Sequence, residues 1–150
     1  MHNTVKNLLD IKNNIKTHLT KINVINYPKI IAVSKTFKID KILPLIEYGH
    51  THFGENKVQE AVEKWSEIKK INPKIKLHMI GKLQTNKVKF AVQLFDYIHS
   101  LDNYRLAEKI SNEQLKFNIH THGNEIYYYE DVYKEQILEL IHQIKNLKYT

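Results

Sequence analysis

At 150 residues, with a formal net charge of +7 and no cysteine, the chain excludes several classes of protein at once. Composition rules out disulfides, thiolate metal sites and cysteine nucleophiles, and length rules out a complete eight-fold βα barrel, which needs at least about 200 residues. No apolar run approaches the roughly 20 residues of a membrane span, so the expectation is one soluble, cytoplasmic domain over 1–150.

The positive charge invites a nucleic-acid reading, because a basic surface attracts phosphate. Two features argue against it. Arg105 is the only arginine, so the planar fork that clamps phosphates and reads guanine edges is nearly absent, and the lysines are spread along the chain instead of gathered into a stripe.

Val5, Leu8, Ile11, Ile15 and Leu19 recur every three or four residues and predict an amphipathic helix, broken off before Pro28. The apolar run 30–36 then predicts a buried strand. Ile39, Ile42, Leu43, Leu45 and Ile46 predict a second helix, with Pro44 tolerated near its first turn or at a kink and Gly49 as its left-handed C-cap. A short strand at 50–53 leads to a helix with Asn56 as N-cap, Gln59 completing a capping box, and a buried stripe of Val58, Ala61, Val62, Trp65 and Ile68.

After Asn72-Pro73, residues 75–80 alternate as a strand ending at Gly81, and a helix follows over 85–94. Residues 96–100 give a fourth strand, with Ser100 or Asp102 capping a helix that carries Leu106, Ile110 and Leu115. Beyond Phe117 neither period holds, although a fifth strand at 126–129 and a helix at 132–147 are expected. Four strand-helix alternations predict an α/β fold built from parallel βα units, about four to five of them, as an open sheet or part of a barrel. The glycine-rich phosphate turn of dinucleotide-binding sheets and kinases is missing before Ser34-Lys35-Thr36.

Lys35 is the first chemical candidate, because an amine at the carboxyl end of a buried strand is partly desolvated and can attack a carbonyl as the free base. Position alone fits equally an ordinary strand-end lysine reaching water. His50/His52 and His120/His122 have the one-face spacing of some metal pairs but no third ligand nearby in sequence. Tyr127, Tyr128, Tyr129 and Tyr133 could stack bases, though a packed strand explains them as well.

Three linked motifs decide between these readings: Ile31-Ala32-Val33-Ser34-Lys35-Thr36, then Phe53-Gly54-Glu55-Asn56-Lys57-Val58-Gln59-Glu60, then His78-Met79-Ile80-Gly81-Lys82-Leu83-Gln84-Thr85-Asn86-Lys87. Their order and wording resemble the pyridoxal phosphate homeostasis protein family. The resemblance implies a βα barrel similar to the N-terminal domain of alanine racemase, here incomplete, with pyridoxal 5′-phosphate (PLP) held as a Schiff base on Lys35. It implies that Asn56 lies near the cofactor, while His78, in the third motif, reads equally as a cofactor contact or a satisfied core histidine, and it points to cofactor buffering more than catalytic turnover.

The resemblance covers 28–114 and fades over 117–131, which divides the chain into a family-like 1–117 and a divergent 118–150. Read this way, the chain is a C-terminally truncated member. In barrels the loops after strands 7 and 8 commonly seat the phosphate, so cofactor affinity is expected to fall. An unclosed barrel also exposes strand edges, so self-association, or pairing with a separately encoded remainder, is the alternative function.

Overall fold

The structure, a computed structural model, describes residues 1–120 and the side chains of 1–117. The strand and helix expected at 126–129 and 132–147, the tyrosine run and the His120/His122 side chains lie outside those residues. Among the described residues nine helices and strands alternate strictly: α1 (Asn3–Lys21), β1 (Ala32–Val33), α2 (Ile39–Glu47), β2 (His52–Glu55), α3 (Val58–Ile71), β3 (Lys76–Met79), α4 (Val88–Leu94), β4 (Tyr97–Ile98) and α5 (Tyr104–His120). A short 3₁₀ turn, Thr85–Lys87, leads into α4.

All four strands are parallel and lie in sequence order, β1-β2-β3-β4. Because parallel crossovers are right-handed, a sheet whose order never reverses carries its helices on one face. This is the winding of a βα barrel, opened here along β1 and β4. A doubly wound sheet would reverse direction at a switch point. The α/β, part-barrel expectation is therefore met.

The pleat then divides each strand between two environments. Phe53, Leu77 and Met79 face the helices and join Trp65, Ala61, Val88, Ala91 and Leu106 in a core that excludes water almost completely. His52, His78 and Tyr97 point to the opposite face, where they touch one another. No helix among the described residues is long and apolar enough to cross a membrane.

Local chemistry explains the ends of the elements. Gly49, at φ +93°, closes α2 in a Schellman motif, its N–H donating to the Ile46 carbonyl and that of His50 to Leu45. Pro44 stands inside α2, beyond the first turn where its missing N–H would cost nothing. Strand β1 is shorter than the apolar run 30–36 suggests, since it pairs on one side only and Val33 is half exposed.

Three expectations need correction. Asn56 does not cap α3: Lys57 occupies the N-cap position and no side chain caps it. Neither Ser100 nor Asp102 caps α5; Asn103 does, its Oδ1 accepting from the Leu106 N–H at 2.9 Å, while Ser100 Oγ donates to the Gly81 carbonyl. Leu115 is exposed, because a five-residue step from Ile110 turns it about 140° away from the buried stripe at 100° per residue.

Candidate functional site

The carboxyl ends of β1, β2 and β3 bring the three motifs together. Ser34, directly before the lysine, is buried and has every polar group engaged. Its N–H donates to the Gly54 carbonyl at 2.9 Å, its Oγ to Glu55 Oε1 at 2.7 Å, and its carbonyl accepts from Lys64 Nζ at 2.9 Å. The chain then turns, Phe37 N–H returning to the Ser34 carbonyl at 3.2 Å with Thr36 at φ +66°. A β-branched residue in the left-handed region carries strain of about 1–3 kcal/mol, tolerated only where the surroundings enforce it.

Lys35 therefore sits between a locked residue and a strained one. Its own side chain is exposed, which differs from the partly desolvated amine expected from a buried strand. The reason is that Lys35 lies past the end of the two-residue β1, in the turn at an edge that pairs on one side only among the described residues.

Glu55 organises this corner. It has no solvent exposure, and its Oε1 accepts from Ser34 Oγ, Lys64 Nζ (2.9 Å) and Trp65 Nε1 (2.9 Å). Sequence reasoning passed over this residue, although a signal was present. In β2 the alternation that buries Phe53 also buries Glu55, and a carboxylate at an inward position demands partners.

Asn56 lies against the β3 motif at very short range. A Cβ on Gly81 would stand 2.4 Å from the Asn56 carbonyl oxygen and 2.8 Å from its Cα, so only glycine permits this approach. The Asn56 Oδ1 is buried and has no hydrogen-bond partner among the described residues, an acceptor left over once it does not cap α3. Gly81→Ala should push the two loops apart and cost about 1–3 kcal/mol. Urea unfolding would show it as a lower midpoint with an unchanged slope, and a wild-type midpoint would contradict the steric argument.

His78 occupies the middle of the open face. Its Nε2 contacts His52 Nδ1 at 2.9 Å, its Nδ1 contacts His99 Nε2 at 2.9 Å, and Tyr97 stacks on its ring at 4.4 Å between centroids. Burial, then the neighbouring histidines, push His78 down to about 3. Burial likewise lowers His50, His52 and His99 from the usual histidine value. The expected His50/His52 pair separates: His50 bonds the His52 carbonyl through Nε2 and packs edge-on against Phe53, while His52 turns to His78. His50 precedes β2, so strand alternation does not apply to it.

The structure thus gathers Lys35, Asn56 and His78 at one end of one sheet, and adds Glu55, Ser34 and the histidine row. Lys35 follows β1 and Asn56 follows β2, so an exposed amine and a buried amide acceptor both stand past the carboxyl ends of neighbouring strands.

No protein-family model matches the chain. Individual relatives do. It is 32% identical over 129 residues to the pyridoxal phosphate homeostasis protein of Pasteurella multocida, covering 79% of this chain and 54% of that one. With the protein of the same name from Buchnera aphidicola it shares 42% over 111 residues, 71% of this chain and 47% of that one. Among solved structures, PipY of Synechococcus elongatus PCC7942 with PLP bound matches at TM-score 0.57 and 38% identity, over 69% of this chain and 50% of PipY. A protein from Bifidobacterium adolescentis matches at TM-score 0.66 and 26% identity, over 73% and 48%. The chain spans about half the length of the curated relatives it matches. With three motifs converging on one sheet end, and relatives of one description from many bacteria, the chain belongs to the pyridoxal phosphate homeostasis protein family.

Proposed function

We propose that this chain binds PLP and serves PLP homeostasis in the cytoplasm, residues 1–150 acting as one domain. Lys35 is the covalent anchor, and Asn56 and His78 are the cofactor-contacting side chains. The bound cofactor supplies an aldehyde carbon that a lysine amine can attack. This chain's own residues do the rest. Ser34 and Thr36 fix where the amine leaves the backbone, Asn56 offers a buried acceptor, and His78 forms the floor of the open face. The observation that carries the reading is the full engagement of Ser34 beside the strained Thr36, which singles Lys35 out among the 22 lysines left when Arg105 is taken from 23 basic residues.

Borohydride reduction in the presence of PLP, followed by peptide mass spectrometry, tests it. The expected result is a reduced pyridoxyl group on Lys35, lost in Lys35→Met. Equal labelling over the surface lysines would overturn the proposal.

A second reading rests on the sheet edges. β1 and β4 each pair on one side among the described residues, and Val33 and Phe37 are exposed beside the β1 edge. Unpaired edges invite a partner strand, so the chain is proposed to self-associate or to pair with a separately encoded remainder. Light scattering should then give a mass above 17.8 kDa; a monomer at working concentration would exclude self-association.

A further inference from the structure

The open face carries a row of three histidines that extends on both sides of His78. His52 on β2, His78 on β3 and His99 just past β4 lie on three adjacent strands, one step further along at each strand. The register aligns Gly54 with His78 and His78 with Tyr97, so His52 lies one face position below His78 and His99 one position above the level of Ile98. Strand spacing of about 4.8 Å brings side chains on neighbouring strands within reach of each other. The result is two successive ring-nitrogen contacts of 2.9 Å.

The two contacts use opposite nitrogens of His78. No point is therefore shared by three ring nitrogens, and no group of three or more metal-ligating side chains occurs among the described residues. The arrangement is a chain, not a cage. In a neutral imidazole one nitrogen donates and the other accepts, so a chain of three has two equivalent directions, one running from His52 to His99 and one running back. Stacking on Tyr97, with ring planes 14° apart, holds the central ring in place.

We propose that His52, His78 and His99 form a proton relay across the open face of the sheet, from partly exposed His52 to the carboxyl ends of the strands. In one passage a proton from water bonds to His52 Nε2 as the Nδ1–H bond of His52 breaks. That proton bonds to His78 Nε2, the His78 Nδ1 proton passes to His99 Nε2, and the Nδ1 proton of the exposed His99 ring passes to solvent water. One proton enters and one leaves, each ring stays neutral, and each tautomer is inverted. Passage in the opposite direction resets the chain.

The charges around the row favour this neutral form. Lys29, from the segment before β1, opposes a positive charge on His52 and His78, and Lys76 on β3 opposes one on His52. Asp96, ahead of β4, acts the other way but is committed to Lys69, Lys76 and the Leu77 N–H. Tyr97 covers His78 as an aromatic face, and burial is the largest influence on all three rings. A proton therefore moves along the row by concerted shifts, without resting on His78. The relay needs no cofactor and stands whether or not Lys35 binds PLP.

Nitrogen-15 NMR of the full chain, imidazole-labelled and without cofactor, tests it. The relay predicts scalar coupling across both N–H···N contacts and His78 nitrogen shifts averaged between protonated and bare positions. His52→Phe keeps ring volume but removes the outer end, so the averaging should collapse to one fixed tautomer at His78 and also at His99, which His52 does not touch. His99→Phe should do the same from the other end if the first variant folds poorly. Absent couplings would overturn the proposal. So would couplings with a single fixed tautomer in the unaltered chain, which would show a static row.

Discussion

Glu55→Ala is expected to destabilise the fold by about 3–5 kcal/mol, a large share of the 5–15 kcal/mol that holds a domain of this size together. The carboxylate is wholly buried and its Oε1 satisfies three donors, from Ser34, Lys64 and Trp65. Removing it leaves the Lys64 ammonium, whose side chain is only 13% exposed, without its counter-charge, and the Trp65 N–H buried without an acceptor. Breaking a buried pair by deleting one partner costs more than the pair contributes, because the survivor keeps its desolvation penalty.

Glu55→Gln keeps an acceptor at Oε1, loses the charge, and puts an amide NH2 where the buried Oε2 already lacks a partner among the described residues. Charged hydrogen bonds exceed neutral ones by about 1 kcal/mol each, so a loss of about 1–3 kcal/mol follows. Urea denaturation of the three proteins, with an unchanged slope, measures both. If the alanine variant were as stable as the parent, the corner would not be held as described. A second consequence concerns Lys35: a loosened Ser34 no longer fixes the neighbouring backbone, so borohydride labelling should lose its preference for Lys35 in Glu55→Gln even where the fold survives.

Stability should also fall steeply as pH drops below about 6.5, well before carboxylates titrate. The unfolded chain protonates its histidines near their usual value of 6.5, whereas folded His78 stays neutral to about 3. Between these limits the unfolded state binds the extra proton, so acid favours it, and the contribution is intact above 6.5 and lost as pH falls toward 3. One such histidine contributes a slope of up to about 1.4 kcal/mol per pH unit, or about 2 kcal/mol between pH 6.5 and 5.

His50, His52 and His99 are lowered in the same sense and add to the effect. Asp96 adds a later phase. Burial, the largest single influence, pushes its carboxyl up, but the Lys69 hydrogen bond and charge, the Leu77 N–H and Lys76 together outweigh it and hold the group below its usual value, so its contribution is present above about 3.8 and lost as pH falls further. Urea midpoints at pH 7 and pH 5 read the histidine phase directly. His78→Gln should flatten it, and an equal midpoint at both pH values in the parent would contradict the neutral row.

Much of this was legible from local pattern. The helical stripe of Val58, Ala61 and Trp65, the Gly49 terminus, the strand-helix alternation and the three motifs are properties of neighbouring residues. Periods of 3.6 and 2 and the left-handed preference of glycine act within a few residues, so they can be read without knowing what lies across the sheet. The misreadings arose where a distant segment competed. Asn56 has the composition of a cap, yet the approach of Gly81 from the next βα unit claims its position. Ser100, a plausible cap in its own segment, donates instead to the Gly81 carbonyl.

By itself the sequence determined the strand-helix alternation and the family resemblance, and the strand order decided the winding. Parallel βα units follow from periodicity, and Lys35 with its companion motifs is spelled out residue by residue. Only the tertiary structure decided what surrounds them. Glu55 reaches Ser34, 21 residues away, and His78 joins His52 and His99, 26 and 21 residues away, through strand register. Register is set by the cooperative packing of Phe53, Leu77 and Met79 against the helices, and the polar partners on the other face inherit their alignment from that core.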